Sequence, residues 1–317
     1  MVTVLTSTDP LAETITTRLL TVRHATVYRY DEPVQLGEHR AMFRPRESHD
    51  LRLVATHLAI VPTPAKLHWV HDIFDNSVAV ATFTGRTTEL SFESAVTLEH
   101  TETAHPDYRL ETDARTYPLT YSGEERADLV RSMERRYPGA EVDRWAAGFV
   151  SALGVQHTMS LLECMTAAIN EGFEYQGRTA RGVQTPSETL QRRQGTCRDF
   201  AQLMIEAVRA LGFAARFVSG YIFVPSVGPQ MVVGGGATHA WLQVYLPGAG
   251  WVDFDPTKKI IGNRTLIRVA MAWDHAQVLP LWGTYTGRPS AFLGMDVTVS
   301  VLDETMVESP GGNRLPN

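Results

Sequence analysis

The sequence predicts an α+β protein in which a strand-rich half precedes a half that runs from helices into strands. Three observations predict this. Short β-branched and aromatic runs, punctuated by Pro, Asn and Ser, fill residues 20–102. Apolar positions three and four apart take over after residue 123. Between Ala215 and Asp255 the pattern returns to strands separated by glycine-rich turns.

In chain order, residues 1–19 are mostly polar and read as a flexible arm. T-V-R-H-A-T-V-Y-R-Y reads as a strand, with D-E-P as its breaker. H-R-A-M-F, L-R-L-V-A-T-H-L-A-I, A-K-L-H-W-V-H-D-I-F and S-V-A-V-A-T-F-T follow as further strands. In T-E-L-S-F-E-S-A-V-T-L-E-H, residues Leu90, Phe92, Val96 and Leu98 fall on one face at period two. Many short strands with turn punctuation imply an antiparallel β-sandwich-like domain over 20–102. Residues 103–123, interrupted at His105-Pro106, Tyr117-Pro118 and Ser122-Gly123, read as a linker.

The second unit, 124–305 with its C-terminal extension, opens with three helical patterns: E-E-R-A-D-L-V-R-S-M-E-R-R-Y, A-E-V-D-R-W-A-A-G-F-V-S-A-L and S-L-L-E-C-M-T-A-A-I-N-E-G-F. Cys164 lies in the third, among Leu161, Met165 and Ala168, and is expected to be a buried apolar cysteine. Thr185, Pro186 and Glu188 supply an N-cap, a proline at the first helical position and an acid at the third. Phe200, Leu203, Met204, Ala207, Val208 and Leu211 then make one apolar helical stripe, and Gly212 stands where a C-terminal cap is favoured. Residues 306–317 read as a disordered tail.

Composition removes several function classes. The formal net charge is −6, from 29 basic and 35 acidic residues, and no Lys/Arg block stands out. Neither nucleic acid nor a membrane surface is therefore expected as a partner. No apolar run reaches the ~18 residues of a membrane span, and M-V-T-V-L-T has no basic leader region. The only cysteines, Cys164 and Cys197, do not make a disulfide framework, so a reducing cytoplasmic location is expected. With no C-x-x-C and no H-x-x-x-H, neither a metal nor another cofactor is expected.

The chemistry centres on Cys197. It stands at a helix start, where unpaired N–H groups and the positive end of the dipole favour thiolate. A nucleophilic thiol also needs a base and a group that orients the base. His239 opens a strand and Asp255 closes the next before Pro256. Strand parity tests the grouping. Pairing Tyr245 with Trp251 sets Asp255 opposite Trp241 and makes it a diagonal neighbour of His239 on the same face. Asp253 shares that face, so parity alone does not choose between the two acids. Each residue alone has a plain structural reading; the combination matches the general papain-type arrangement.

Two segments, G-T-C-R-D-F-A-Q-L-M-I-E-A-V-R-A-L-G-F-A-A-R-F-V-S-G-Y and T-H-A-W-L-Q-V-Y-L-P-G-A-G-W-V-D-F-D-P-T, resemble the transglutaminase-like superfamily core, and within it the bacterial transglutaminase-like cysteine proteases. H-A-T-V-Y-R-Y-D-E-P-V, F-R-P-R and P-L-W-G-T-Y-T-G are similar to features flanking that core in the same group. The resemblance implies a papain-like transglutaminase core behind the β-rich domain, a nucleophile at Cys197, a base at His239 and an orienting acid at Asp255 rather than Asp253. It implies a peptide or protein substrate, attack on a peptide or glutamine-type amide, and hydrolysis of the acyl-enzyme. A protein-glutamine transglutaminase and a non-catalytic peptide-binding module are the alternatives, and homo-oligomerisation is left open.

The sequence departs from the family pattern in places. Gly195-Thr196 precedes the cysteine where Gly-Val or Gly-Gln is common. D-x-F-G-N appears as Asp72-Ile73-Phe74-Asp75-Asn76, and G-R-D-Y as Ala272-Trp273-Asp274-His275. The Cys197 N–H is expected to supply one oxyanion donor. Tyr175 is a candidate for the second, Trp241 for a shield over the His–Asp pair, and the loop Gly228–Ala237 for a gate.

Overall fold

A computed structural model describes residues 15–103, 108–153, 156–177, 182–223 and 238–304. The expected gate loop 228–237, the tail 306–317 and all but the last few residues of the arm lie outside them.

The N-terminal strands are β1 (Ile15–Ala41), β2 (Leu51–Val61), β3 (Lys66–His71), β4 (Ser77–Thr82) and β5 (Arg86–Thr103). Strand structure thus begins at Ile15, inside the expected arm. The sequence D-E-P does not end the first strand. Against β5 the register steps from Arg29↔Glu89 to Val34↔Thr87, so the extra residues bulge outward and the strand continues. The Pro33 carbonyl there accepts from Arg86 Nε at 2.9 Å. A proline breaks a ladder only where its missing N–H would be needed, and at the bulge it is not.

The residues read as linker carry a short 3₁₀ turn, Thr112–Ala114, and β6 (Thr116–Tyr117). Next come α1 (Gly123–Met133), α2 (Ala140–Leu153), β7 (Gln156–His157) and α3 (Thr158–Gly172). After β8 (Glu174–Tyr175), α4 (Pro186–Arg192) has Pro186 in its first turn and a reciprocal Thr185/Glu188 capping box. The chain then forms β9 (Gln194–Gly195), α5 (Cys197–Ala210), β10 (Ala215–Ile222), β11 (His239–Leu246), β12 (Gly250–Asp255), β13 (Ile260–Ile261) and β14 (Leu266–Ala272). It closes with β15 (Leu281–Thr286) and β16 (Phe292–Asp303).

Two sheets carry the architecture. The larger has the order β2-β5-β1-β4-β3, and β15 and β16 also pair with β1. The C-terminal extension therefore completes the N-terminal sheet. Sequence could not show this, because nothing local in a strand names its partner across such a separation. The early part of β1 pairs with β5 and β16, whereas its end pairs with β4 and β15. All seven strands belong to one hydrogen-bonded sheet. It encloses a cluster that includes Tyr30, Val34, Ile60, Ala81 and Phe92. Further along the same face of β5, Val96 and Leu98, with Leu20 and Val22 opposite them on β1, join the same buried cluster as α5 and the second sheet.

The second sheet has the order β13-β12-β11-β10-β14, antiparallel throughout. Helix α5 lies against β10 and β11, with α2, α3 and α4 around it. Phe200, Leu203, Met204, Ala207 and Val208 are buried as their spacing requires, each large one worth about 1.5–3 kcal/mol. Gly212 follows with φ +90°. Burial goes beyond the stripe, because Gln202, Glu206 and Arg209 on the polar side are covered as well. Glu206 accepts from Arg135 Nε at 3.0 Å and from the Arg136 and Tyr137 N–H groups at 3.1 Å. Cys164, expected to be buried, is only half-buried on α3.

Candidate active site

The site assembles where the start of α5 meets the starts and ends of β11 and β12. Cys197 is the first residue of α5, so its backbone N–H is among those with no intrahelical acceptor. The residue is 7% exposed. Its turn is held from below by Asp199, which is fully buried. Asp199 Oδ2 accepts from the Thr196 N–H at 2.8 Å and the Thr196 hydroxyl at 2.9 Å. Asp199 Oδ1 accepts from the Gln184 N–H at 2.6 Å, tying the segment before α4 to the cysteine turn. The sequence reading missed Asp199. Its signal was the T-C-R-D spacing, an acid three residues after a threonine N-cap.

On the neighbouring strands the pairing is Tyr245↔Trp251 and Leu242↔Phe254, with Pro247, Gly248 and Ala249 as the hairpin loop. This is the odd-numbered loop that parity required, and Asp255 comes onto the His239 face. His239 Nε2 lies 2.7 Å from Asp255 Oδ2. Asp255 Oδ1 accepts from the Thr257 N–H at 2.8 Å, so both carboxylate oxygens are engaged in a fully buried group. The Cys197 side chain is within interaction reach of the imidazole and favours its charged form. With Nε2 committed to Asp255, Nδ1 is the nitrogen left for sulfur. Burial disfavours the imidazolium, but the Asp255 carboxylate, its hydrogen bond and the Cys197 side chain outweigh it, and the His239 pKa is pushed up to about 10.

Asp253 is placed elsewhere. Its Oδ1 accepts from Trp241 Nε1 at 2.7 Å and its Oδ2 from Arg268 at 2.9 Å. The Trp241 ring stacks on His239, with centroids 5.9 Å apart and planes 28° apart. Trp241 is fully buried and covers one face of the imidazole. Gly220 stands opposite His239 on β10. A Cβ there would lie 2.1 Å from the Ile267 carbonyl oxygen and 2.8 Å from Trp241 Cη2, so no larger residue fits beside the stacked pair.

Tyr175 lies on β8, which pairs parallel with β9 just before the cysteine. It is 57% exposed and presents its ring edge-on to Phe200 at 6.5 Å. Partial burial, with Cys197 and Asp199 nearby, raises its pKa, so the hydroxyl stays a donor. Among the described residues no group of three His, Cys, Asp or Glu side chains could hold a metal ion, and no helix is long and apolar enough to cross a membrane.

Comparison with known proteins fits this geometry. The family model of the bacterial transglutaminase-like N-terminal region matches residues 20–99, and that of the transglutaminase-like superfamily core matches 149–256. An uncharacterized protein of Mycobacterium tuberculosis, Rv2569c, is 30% identical over 300 residues, spanning 88% of this chain and 91% of its own. A protein-glutamine gamma-glutamyltransferase of Pseudomonas aeruginosa is 34% identical over 74 residues, 23% of this chain and 11% of that protein. The fold is shared with a crystal structure of a candidate cysteine protease from Cytophaga hutchinsonii, with a TM-score of 0.68 at 19% identity over 91% of this chain and 93% of that one. The chain belongs to the transglutaminase-like superfamily, with the bacterial N-terminal region preceding its core.

Proposed function

We propose that the protein is a thiol-dependent acyl-transfer enzyme that hydrolyses a peptide or glutamine-type amide in a peptide or protein substrate. The observation that carries this reading is the buried His239–Asp255 pair, 2.7 Å apart, with a cysteine at the first position of α5 within interaction reach of its imidazole. In the proposed reaction the Cys197 thiolate attacks the amide carbonyl carbon. The Cys197 N–H faces the developing oxyanion. The His239 imidazolium gives its proton to the departing amine as the C–N bond breaks, leaving a thioester. Water attacks the thioester, His239 takes its proton, and the carboxylic acid leaves as the thiolate is regenerated. Asp255 holds the imidazole with Nδ1 toward sulfur and stabilises its charge.

A second reading is transamidation, in which an amine replaces water. It is supported by the short match to the gamma-glutamyltransferase. The proposed enzyme needs a free thiol, and both cysteines are unpaired, so a reducing compartment such as the cytoplasm is part of the proposal. Incubating a peptide library with and without an added amine, read by mass spectrometry, tests the reading. Hydrolysis is expected, with Cys197→Ala inactive. Amine-tagged glutamine would establish transamidation instead. Turnover that survives Cys197→Ala would remove both.

A further inference from the structure

Asp50 lies just ahead of β2 in the N-terminal unit and is almost fully buried. Its Oδ2 is 2.6 Å from Arg268 of β14 and 2.6 Å from Asn263 Nδ2. Its hydroxyl partner is Ser48. Arg268 uses its other terminal nitrogen on Asp253, at 2.9 Å. One guanidinium thus bridges a carboxylate at the entry to β2 and one of the second sheet, and its planar fork fixes the direction of both bonds. Asp253 is buried, and Arg268 with the Trp241 indole satisfies one oxygen each. Trp241 is therefore pinned at its N–H edge, with its face against His239.

We propose that the N-terminal sheet positions the catalytic imidazole, with Asp50 acting through Arg268, Asp253 and Trp241 on His239. Asp255 fixes one edge of the ring, and Trp241 fixes its plane. Removing the Asp50 charge leaves Arg268 ion-paired to Asp253 alone, with only the Ser48 hydroxyl, at 3.3 Å, also accepting from it, and so looser. The indole follows its acceptor, and the imidazole loses the wall that holds Nδ1 toward sulfur. The groups facing His239 are Cys197 from α5 and Asp255 from β12, with Asp253 and Arg268 behind Trp241. Tyr108 is within electrostatic reach of Asp253. Asp50, Arg268, Asp253 and Trp241 are positioning residues in this scheme, which rests on the triad reading above.

The test is the pH profile of Cys197 alkylation by iodoacetamide in the full chain, followed by mass spectrometry, with thermal unfolding in parallel. It needs no substrate. Asp50→Asn is expected to slow alkylation at neutral pH by about tenfold to a hundredfold, the range for a misplacement remote from the chemistry, and to shift the rise of reactivity with pH upward, because the thiolate loses its imidazolium partner. Trp241→Phe keeps a ring over His239 but removes the N–H, and the same shift is expected, which keeps the test open if Asp50→Asn fails to fold. His239→Ala is the control. If His239→Ala changes the profile and the other two variants only lower the unfolding temperature, the positioning role is overturned while the triad stands. If His239→Ala leaves the profile unchanged, the triad fails and the inference falls with it.

Discussion

A Cβ built on Gly195 would stand 2.9 Å from the Cβ of Asp199 and 3.2 Å from Phe200 Cε1. Both neighbours are themselves fixed, Asp199 by the bonds that close the cysteine turn and Phe200 by the core. Gly195→Ala must therefore move Thr196 and Cys197. Overpacking of this kind costs about 1–3 kcal/mol, so the variant is expected to fold. Its cysteine is expected to lose reactivity by about a hundredfold, because the displaced group is the proposed nucleophile. Alkylation rates and thermal unfolding measured together check this. A normal alkylation rate in a destabilised variant would show that the turn yields without carrying the thiol.

His239 gives a pH signature of known sign. Its pKa is about 10 in the folded protein against an ordinary 6.5, the Asp255 carboxylate, its hydrogen bond and the Cys197 side chain outweighing the opposing effect of burial. The native state binds the proton more tightly, so this contribution to stability is complete below 6.5 and is lost as pH rises towards 10. In the proposed reaction the same proton is delivered to the leaving group, so turnover is expected to fall on an alkaline limb near 10. Asp255→Asn removes the carboxylate that raises the imidazole pKa. The limb should move down towards the ordinary histidine range, and turnover should fall by about 10³–10⁴. An unmoved limb in Asp255→Asn would assign it to another group.

Much of this site was legible because its determinants are local. The hairpin loop set parity, parity set the face of Asp255, and the α5 stripe fixed which side of the helix Cys197 crowns. Parity does not separate Asp253 from Asp255, since both share a face; the family motif, with its acid just before Pro256, chooses Asp255. The separation has a physical meaning, because Asp253 is consumed by Trp241 and Arg268. What stayed illegible depends on contacts across long separations. The pairing of β16 with β1 and the reach of Asp50 to Arg268 leave no trace in local spacing. The burial of Gln202, Glu206 and Arg209 was hidden for the same reason: a polar stripe reads as solvated until another segment is seen to cover it.

Asn76 shows what a motif noticed in sequence can turn out to do. It is fully buried. Its side-chain amide donates to the Met271 carbonyl at 2.9 Å and accepts from the Met271 N–H at 2.9 Å, imitating a strand partner for the free edge of β14. Asp75 before it has φ +65°, the left-handed conformation in which the family pattern places glycine. Asn76→Ala leaves two buried backbone groups of Met271 without partners and is expected to cost about 2–5 kcal/mol. Urea unfolding of the variant measures it. A loss below about 1 kcal/mol would mean that the Met271 groups find other partners.

Acid is expected to loosen the protein through His24, which is buried between the N-terminal sheet and the core. Nδ1 is 2.9 Å from the Tyr221 hydroxyl, Nε2 is 3.1 Å from the Thr26 hydroxyl, and the Phe43 ring lies 4.2 Å away. Burial drives its pKa down from 6.5 to about 4. His39 and His100 in the same unit shift in the same direction, chiefly through burial. Unfolded chains bind the proton near 6.5 and the native site refuses it until about 4, so stability is complete above 6.5 and declines as pH falls through that window. For His24 alone the gap is worth on the order of 3 kcal/mol. Urea midpoints followed from neutral pH to acid should show the decline, and His24→Gln should flatten it. Because Tyr221 belongs to β10, which also carries the partner of His239, acid loosening should slow Cys197 alkylation over the same pH range in the wild type and less so in His24→Gln. A decline in stability that His24→Gln leaves untouched would move the acid sensitivity to His39 and His100.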